Sequence, residues 1–260
     1  MSTRTKSNAA KPGLGLFLSD FPRAAGDLAM YVAASPLLRR TAPRGDGHPV
    51  LVLPGLMAAD SSTRMLRAYL RRLGYHVHGW RLGRNLGPTR EAVLGMGARL
   101  DALLERHGRT ISVIGWSLGG IYAREMARLR PGDVRQVITL GSPFNMKDGV
   151  ESRAHRTYNR YSHLHIDGGA LRSGGTAVEL SVPATSVYSR FDGIVPWRAC
   201  LDVESSISEN VEVYGAHVGL GYNPAALWVI ADRLAQPEGA WKPFVPPRGA
   251  RRLFPRPSYA

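Results

Sequence analysis

Three residues of this chain could together activate an oxygen nucleophile. A serine hydroxyl attacks well only when a base takes its proton, and the base works only when a third group fixes its tautomer and stabilises its cation. Ser117 lies in Gly115-Trp116-Ser117-Leu118-Gly119, between the apolar run Ile111–Ile114 and a helical pattern that Pro131-Gly132 ends. Glycines two residues before and two after a serine permit a sharp strand-to-helix turn that lifts the hydroxyl above the sheet edge. The same turn aims the Leu118 N–H, at a helix N-terminus, where an oxyanion would form. Asp192, in Phe191-Asp192-Gly193-Ile194-Val195, and His217, in Gly215-Ala216-His217-Val218-Gly219-Leu220, each follow a β-rich run by one loop. Alone, Asp192 reads as an Asp-Gly turn residue and His217 as a packed or capping histidine. With the serine, in the order Ser, Asp, His, they complete a nucleophile, acid and base set.

Other residues compete for these roles. Asp202 and Glu204 also fall between the last two β-rich runs and are the runner-up acids, and Asp167 could be a residue of a cap near the pocket. His155, His163 and His165 lie in an aperiodic stretch, His76 and His78 share one face of a strand, and His107 ends a helix. His163 and His165 lack an obvious third ligand, so neither a metal nor a cofactor is expected. The second oxyanion donor is expected to be the Leu56 N–H in Pro54-Gly55-Leu56-Met57, although a plain Pro-Gly turn would read the same. Met57, Trp116, Phe144, Met146, Ile194, Val195, Trp197, Val218 and Leu220 are the apolar residues expected at the mouth, where they suit an apolar acyl chain or alcohol better than a sugar. Core packing would account for several of them equally well.

These groups need a scaffold that gathers strand-end loops. Val50–Leu53 is continuously apolar, as in a strand covered on both faces, and Tyr75–Trp80, Ile111–Gly115, Val134–Leu140, Ala184–Tyr188 and Val211–Tyr214 are further β-rich runs. Helical patterns occupy about 61–73, with Asp60 as N-cap and Gly74 as stop, then Thr89–His107, the segment after Ser117, and about Pro224–Leu234. Alternating strands and helices imply an α/β architecture, a mostly parallel sheet of about six strands flanked by helices. Between Pro143 and Val182 the alternation lapses, which reads as a small cap over the strand ends. Residues 1–49 read as a tail followed by an amphipathic helix that breaks near Ser35-Pro36, residues 50–236 as the main domain with a cap region at 143–182, and residues 237–260 as a Pro/Arg-rich tail.

The totals narrow the class. A formal charge of +14, from 34 Lys and Arg against 20 Asp and Glu, favours anionic partners, yet no nucleic-acid module is recognisable. Weak association with an anionic membrane surface fits both the charge and the basic-ended N-terminal helix. Cys200 is the only cysteine, which excludes an intrachain disulfide, and the apolar run Leu14–Leu18 is too short for a signal peptide. A cytoplasmic, soluble protein is the expectation.

The set Gly-Trp-Ser-Leu-Gly-Gly, Asp-Gly-Ile-Val and Ala-His-Val-Gly-Leu, in that order, resembles the α/β-hydrolase superfamily and, within it, bacterial serine esterases and lipases. The resemblance runs from about Val50 to Leu234. It implies Ser117 as nucleophile, Asp192 as acid, His217 as base, and Leu56 with Leu118 as the oxyanion hole. Many relatives carry His-Gly where this chain has Pro54-Gly55, and the first two strands of larger members are missing, so a compact version is expected. The implied activity is hydrolysis of a small-molecule or lipid ester through an acyl-enzyme. An acyltransferase, an acyl thioesterase and a non-catalytic binding module on the same fold are the alternatives.

Overall fold

Val50-Leu51-Val52-Leu53 has no polar side chain to turn toward water, so its strand is stable only between two apolar layers. In the computed structural model, which describes residues 11–146, 151–166 and 178–255, that strand is β1 (Pro49–Leu53), and every residue of it is buried. β2 (His76–Gly79), β3 (Ile111–Trp116), β4 (Val134–Leu140), β5 (Ala184–Tyr188) and β6 (Ser208–Glu212) join it in one sheet of order β2-β1-β3-β4-β5-β6. All five pairings are parallel. The chain steps from β1 outward to β2, then returns to the other side of β1 with β3. Reversal of strand order opens a crevice at the carboxyl ends of β1 and β3, where ligands of parallel sheets collect.

Alternate residues feed the two layers. Val50 and Val52 pack on one face with Leu66 and Leu70 of α3 (Arg64–Arg72), Leu227 and Ile230 of α7 (Pro224–Leu234) and Tyr31 and Leu38 of α2 (Asp20–Thr41). Leu51 and Leu53 pack on the other with α4 (Arg90–His107) and α5 (Leu118–Leu129). Each fully buried Leu, Ile or Val contributes roughly 1.5–3 kcal/mol relative to exposure. α1 (Leu14–Leu18) precedes α2 at the mouth side of the sheet, and α6 (His155–Arg160) stands in the stretch expected to be a cap. Among the described residues no helix is long and apolar enough to cross a membrane.

Local signals set most helix ends. Thr89 accepts from Ala92 N at the start of α4, whose end is a left-handed Gly108. Asn223 Oδ1 accepts from Ala225 N and Ala226 N ahead of Pro224. Three expectations need correction. The helix expected from residue 61 begins at Arg64, and Asp60 caps no helix; its carboxylate accepts from Trp80 N and Arg81 N at 3.0 and 3.2 Å and ties down the end of β2. α2 continues through Pro36 to Thr41, because proline removes one N–H bond and Val32, whose carbonyl loses that partner, is exposed to water. β6 starts at Ser208, three residues before the β-rich run, since ladder pairing with Ala184–Ser186 is made by backbone and is indifferent to polar side chains. Residues 1–10 and 256–260 of the tails, and Asp167, lie outside the described residues. The described part of the C-terminal segment runs back over α2 and α7, with Phe254 buried there.

Candidate active site

Ser117 stands at φ 53° and ψ −120°, a conformation costly for any residue with a side chain. It is held there from both sides: its N–H donates to Leu140 O at 2.8 Å and its carbonyl accepts from Gly120 N at 2.9 Å. The glycines around it are required by close approach. A Cβ on Gly115 would lie 2.2 Å from Gly119 O, and one on Gly119 would lie 2.4 Å from Leu53 O. β1, β3 and the first turn of α5 therefore meet backbone to backbone, and the serine caps their junction. Leu118, the first residue of α5, contributes one of the N–H groups that a helix start leaves without an intrahelical acceptor.

The loop after β1 comes to the same point. A Cβ on Gly55 would lie 3.2 Å from Ser117 Cβ, and Leu56 and Met57 line the cleft above the serine. Buried Asn85 fixes this loop: its Nδ2 donates to Pro54 O at 2.8 Å, its backbone carbonyl accepts from Met57 N at 2.7 Å, and its N–H donates to Ala58 O at 2.8 Å. Met57 is held at φ 63° in consequence. Nothing in the sequence marked Asn85, because it sits in an unpatterned loop and its partners Pro54, Met57 and Ala58 belong to another loop.

Asp192 and His217 are brought together from the loops after β5 and β6. Asp192 Oδ1 accepts from Ile194 N and Val195 N at 2.8 and 2.7 Å, and Oδ2 lies 2.6 Å from His217 Nδ1. That division of oxygens fixes the proton on Nδ1 and leaves Nε2 as the basic nitrogen. Trp116 Nε1, on the strand that leads into Ser117, donates to His217 O at 3.1 Å and ties the two loops together. Burial pushes the His217 pKa down, but the charge and hydrogen bond of Asp192 and the charge of Asp20 outweigh it and leave it above the ordinary value. The runner-up acid Asp202 is engaged elsewhere, in a buried two-armed ion pair with Arg124 of α5, and Glu204 lies near Asn210.

Ser117 and His217 line one cleft of about 430 Å³, with Met57, Trp116, Ile194 and Val218 from the residues expected at the mouth. Phe144, Met146, Val195, Trp197 and Leu220 lie outside that lining. Phe144 is buried under the Arg124 guanidinium, Leu220 is in the core, and Met146, Val195 and Trp197 join a satellite cluster around Tyr188. Their places are taken by Phe17 and Phe21 of the N-terminal helices and by Arg153, Ala154 and Thr157 beside or in α6. Arg153 links these two walls, donating to Pro12 O through Nε and Nη2 at 2.9 and 2.7 Å.

A second Ser-His-Asp arrangement occupies the other end of the sheet. His48 Nε2 lies 2.9 Å from Ser112 Oγ, and its Nδ1 bonds Asp46. Both Ser112 and His48 are wholly buried, so no substrate can reach them. Their consequence is stability. Burial, then the Arg135 charge, pushes the His48 pKa down to about 4 against the pull of Asp46. Between pH 6.5 and 4 the unfolded chain therefore binds the proton that folded His48 refuses, and acidification through that window favours unfolding, by roughly 3 kcal/mol at most. Urea midpoints should fall from pH 7 to pH 4.5 in the native chain and fall less in His48→Gln.

No family model and no curated protein matches the chain. Solved structures do. Aspergillus fumigatus lipase B superposes with a TM-score of 0.55 at 18% identity over 75% of this chain, which spans only 53% of that lipase. EstE1, a thermophilic and thermostable carboxylesterase cloned from a metagenomic library, gives 0.55 at 16% identity over 77% of this chain and 83% of its own. MGS-MChE2, an alpha/beta hydrolase enzyme from the metagenome of lagoon sediments at Mar Chica, Morocco, gives 0.50 at 16% identity over 73% and 90%. With its six parallel strands, its serine turn after β3 and these neighbours, the chain has the α/β-hydrolase fold.

Proposed function

We propose that this chain is a serine hydrolase of carboxylic esters. The observation that carries the reading is the strained Ser117 sharing one cleft with His217, whose Nδ1 is held 2.6 Å from Asp192. His217 Nε2 takes the hydroxyl proton as Ser117 attacks the ester carbonyl, while Asp192 stabilises the imidazolium. The Leu56 and Leu118 N–H groups hold the oxyanion. His217 returns the proton to the leaving alcohol, and the same base then activates the water that frees the acid and Ser117.

Phe17, Phe21, Leu56, Met57, Trp116, Ile194 and Val218 make the cleft an apolar acyl or alcohol site. Exposed Leu14, Leu18 and Phe21 extend that surface outward, which supports an ester presented at a lipid surface, anionic ones being favoured by the basic excess. Turnover of p-nitrophenyl esters of rising chain length tests the reading. Specificity, kcat/KM, is expected to climb about fourfold per added methylene until the cleft is filled, the equivalent of ~0.8 kcal/mol per CH₂. A flat profile would remove the apolar-site assignment, and ester turnover that persists in Ser117→Ala would remove the serine mechanism. Added alcohol yielding a new ester would move the reading to acyl transfer; faster, salt-sensitive turnover of acyl-CoA would move it to a thioesterase.

A further inference from the structure

We infer that Asp20, the first residue of α2, is the positioning residue that holds the acid loop and the base loop of this site in register. It rests on the serine-hydrolase reading. Asp20 has no exposed surface, and three backbone N–H groups from two distant loops converge on its carboxylate. Oδ2 accepts from Gly193 N at 2.9 Å and from His217 N at 3.0 Å, and Oδ1 accepts from Val218 N at 3.0 Å. Gly193 follows Asp192, and His217 is the base itself. One side chain thus ties together the loops of both members of the pair that sets the orientation and charge of the base.

The surrounding contacts are built for this bracket. Arg23, within 3.4 Å of Asp20 Oδ2, donates through Nη1 to Phe191 O at 2.6 Å, the residue before Asp192. A Cβ on Gly193 would lie 2.4 Å from Leu16 O, so that glycine admits the N-terminal helices as well as turning the acid loop. Two turns along α2, buried Asp27 accepts from Ala216 N at 2.9 Å and Asn223 Nδ2 at 2.7 Å, and a Cβ on Gly219 would lie 2.1 Å from its Oδ2. Both loops carry glycines where α1 and α2 press on them. A charge buried at such cost is retained only when donors surround it, and here the donors are the backbone of the catalytic loops.

Asp20 touches neither Ser117 nor the cleft contents, so its effect passes through His217 and Asp192. Asn at this position keeps at best its one amide oxygen on Gly193 N and His217 N and turns its NH₂ group against Val218 N, so the base loop loses an acceptor and must shift. A displacement of about 1 Å between reacting groups can cost on the order of 100-fold in rate. Asp20→Asn is therefore expected to lower kcat about 10- to 100-fold with KM little changed. Of the charged groups that face the base loop, Asp192 from the β5 loop and Asp20 from α2 bond His217 itself, Asp27 of α2 bonds Ala216 N beside it, and Arg23 of α2 bonds Asp20 and Phe191 O. Removing the Asp20 charge lets burial count for more against Asp192, so the acid limb of the kcat/KM profile moves to lower pH.

The test is steady-state ester hydrolysis across pH for the full chain, Asp20→Asn and Asp20→Glu, with the His217 Nδ1 proton followed by NMR. Ser117→Ala serves as the reference for the catalytic reading. A kcat loss with a shifted acid limb and a weakened Nδ1 signal in Asp20→Asn, and a wild-type limb with a smaller kcat loss in Asp20→Glu, support the inference. A folded Asp20→Asn with wild-type kcat and limb overturns it even where Ser117→Ala is inactive. Should Asp20→Asn not fold, Asp20→Glu decides: the longer carboxylate shifts the loops and lowers kcat, and wild-type kcat there also overturns it. Full activity in Ser117→Ala is a separate failure, of the serine reading itself.

Discussion

Replacing Ser117 with alanine is expected to lower ester turnover by about 10⁶-fold while leaving KM nearly unchanged, because the hydroxyl forms its new bond only in the reaction and binds little of the ground state. The residual rate, about 10³–10⁴ over water, would come from the oxyanion donors and the cleft. Stability separates alanine from glycine at this position. Alanine keeps a Cβ at φ 53° and ψ −120° and gains nothing, whereas glycine adopts that conformation without strain. Strain of this kind costs on the order of 1–3 kcal/mol, against roughly 0.5–1 kcal/mol for the extra flexibility of unfolded glycine. Ser117→Gly should thus be inactive and more stable than the native chain by about 1 kcal/mol, read as a higher urea midpoint at unchanged slope. A lower midpoint for Ser117→Gly would mean that the elbow stores no strain.

The serine turn was legible because everything it needs is local: the apolar run, the serine and the glycines that let β1, β3 and α5 meet all lie within residues 111–119. The sheet was legible for a similar reason, since buried parallel strands are continuous apolar runs and Val50–Leu53 or Ile111–Ile114 announce themselves. What escaped acts at long range. Asp20 reads in the sequence only as the polar residue that ends Leu14–Leu18, yet its partners lie 173, 197 and 198 residues away. Phe17 and Phe21 carry no sign that their helices fold back over the cleft. Trp197 has the composition of a pocket residue beside Asp192, but it stacks on Tyr188, 5.8 Å between ring centres, and serves a satellite core. Residue type located the neighbourhood; direction along the loop decided which side chain faces in. Buried His48 and Ser112, with Asp46, carry the complementary lesson, that the donor geometry of a triad has catalytic meaning only where the serine borders a cleft.

The second large effect is expected at Asp192, and its size follows from how the two carboxylate oxygens are used. Oδ1 is bound by the N–H groups of Ile194 and Val195, so it must remain an acceptor whatever residue replaces the acid. In Asp192→Asn the amide oxygen is drawn to those two donors, and the NH₂ group is left facing His217 Nδ1. An NH₂ group can only donate, so Nδ1 becomes the acceptor and the ring proton moves to Nε2. The histidine is then a donor toward Ser117, where a base is required. Loss of kcat by about 10⁴-fold is expected with the fold intact, since no backbone hydrogen bond is given up. The pH dependence should change as well. His217 loses the opposing charge that holds its pKa above the ordinary value, while burial remains, so the residual activity should persist to lower pH than in the native chain. Asp192→Ala provides the contrast: it removes the wrong donor as well as the right acceptor, leaves two N–H groups without a partner, and should be less stable than Asp192→Asn. If Asp192→Asn retained native kcat, either Asp202 or another acceptor would have to reach His217, and Asp202 could do so only by abandoning its ion pair with Arg124.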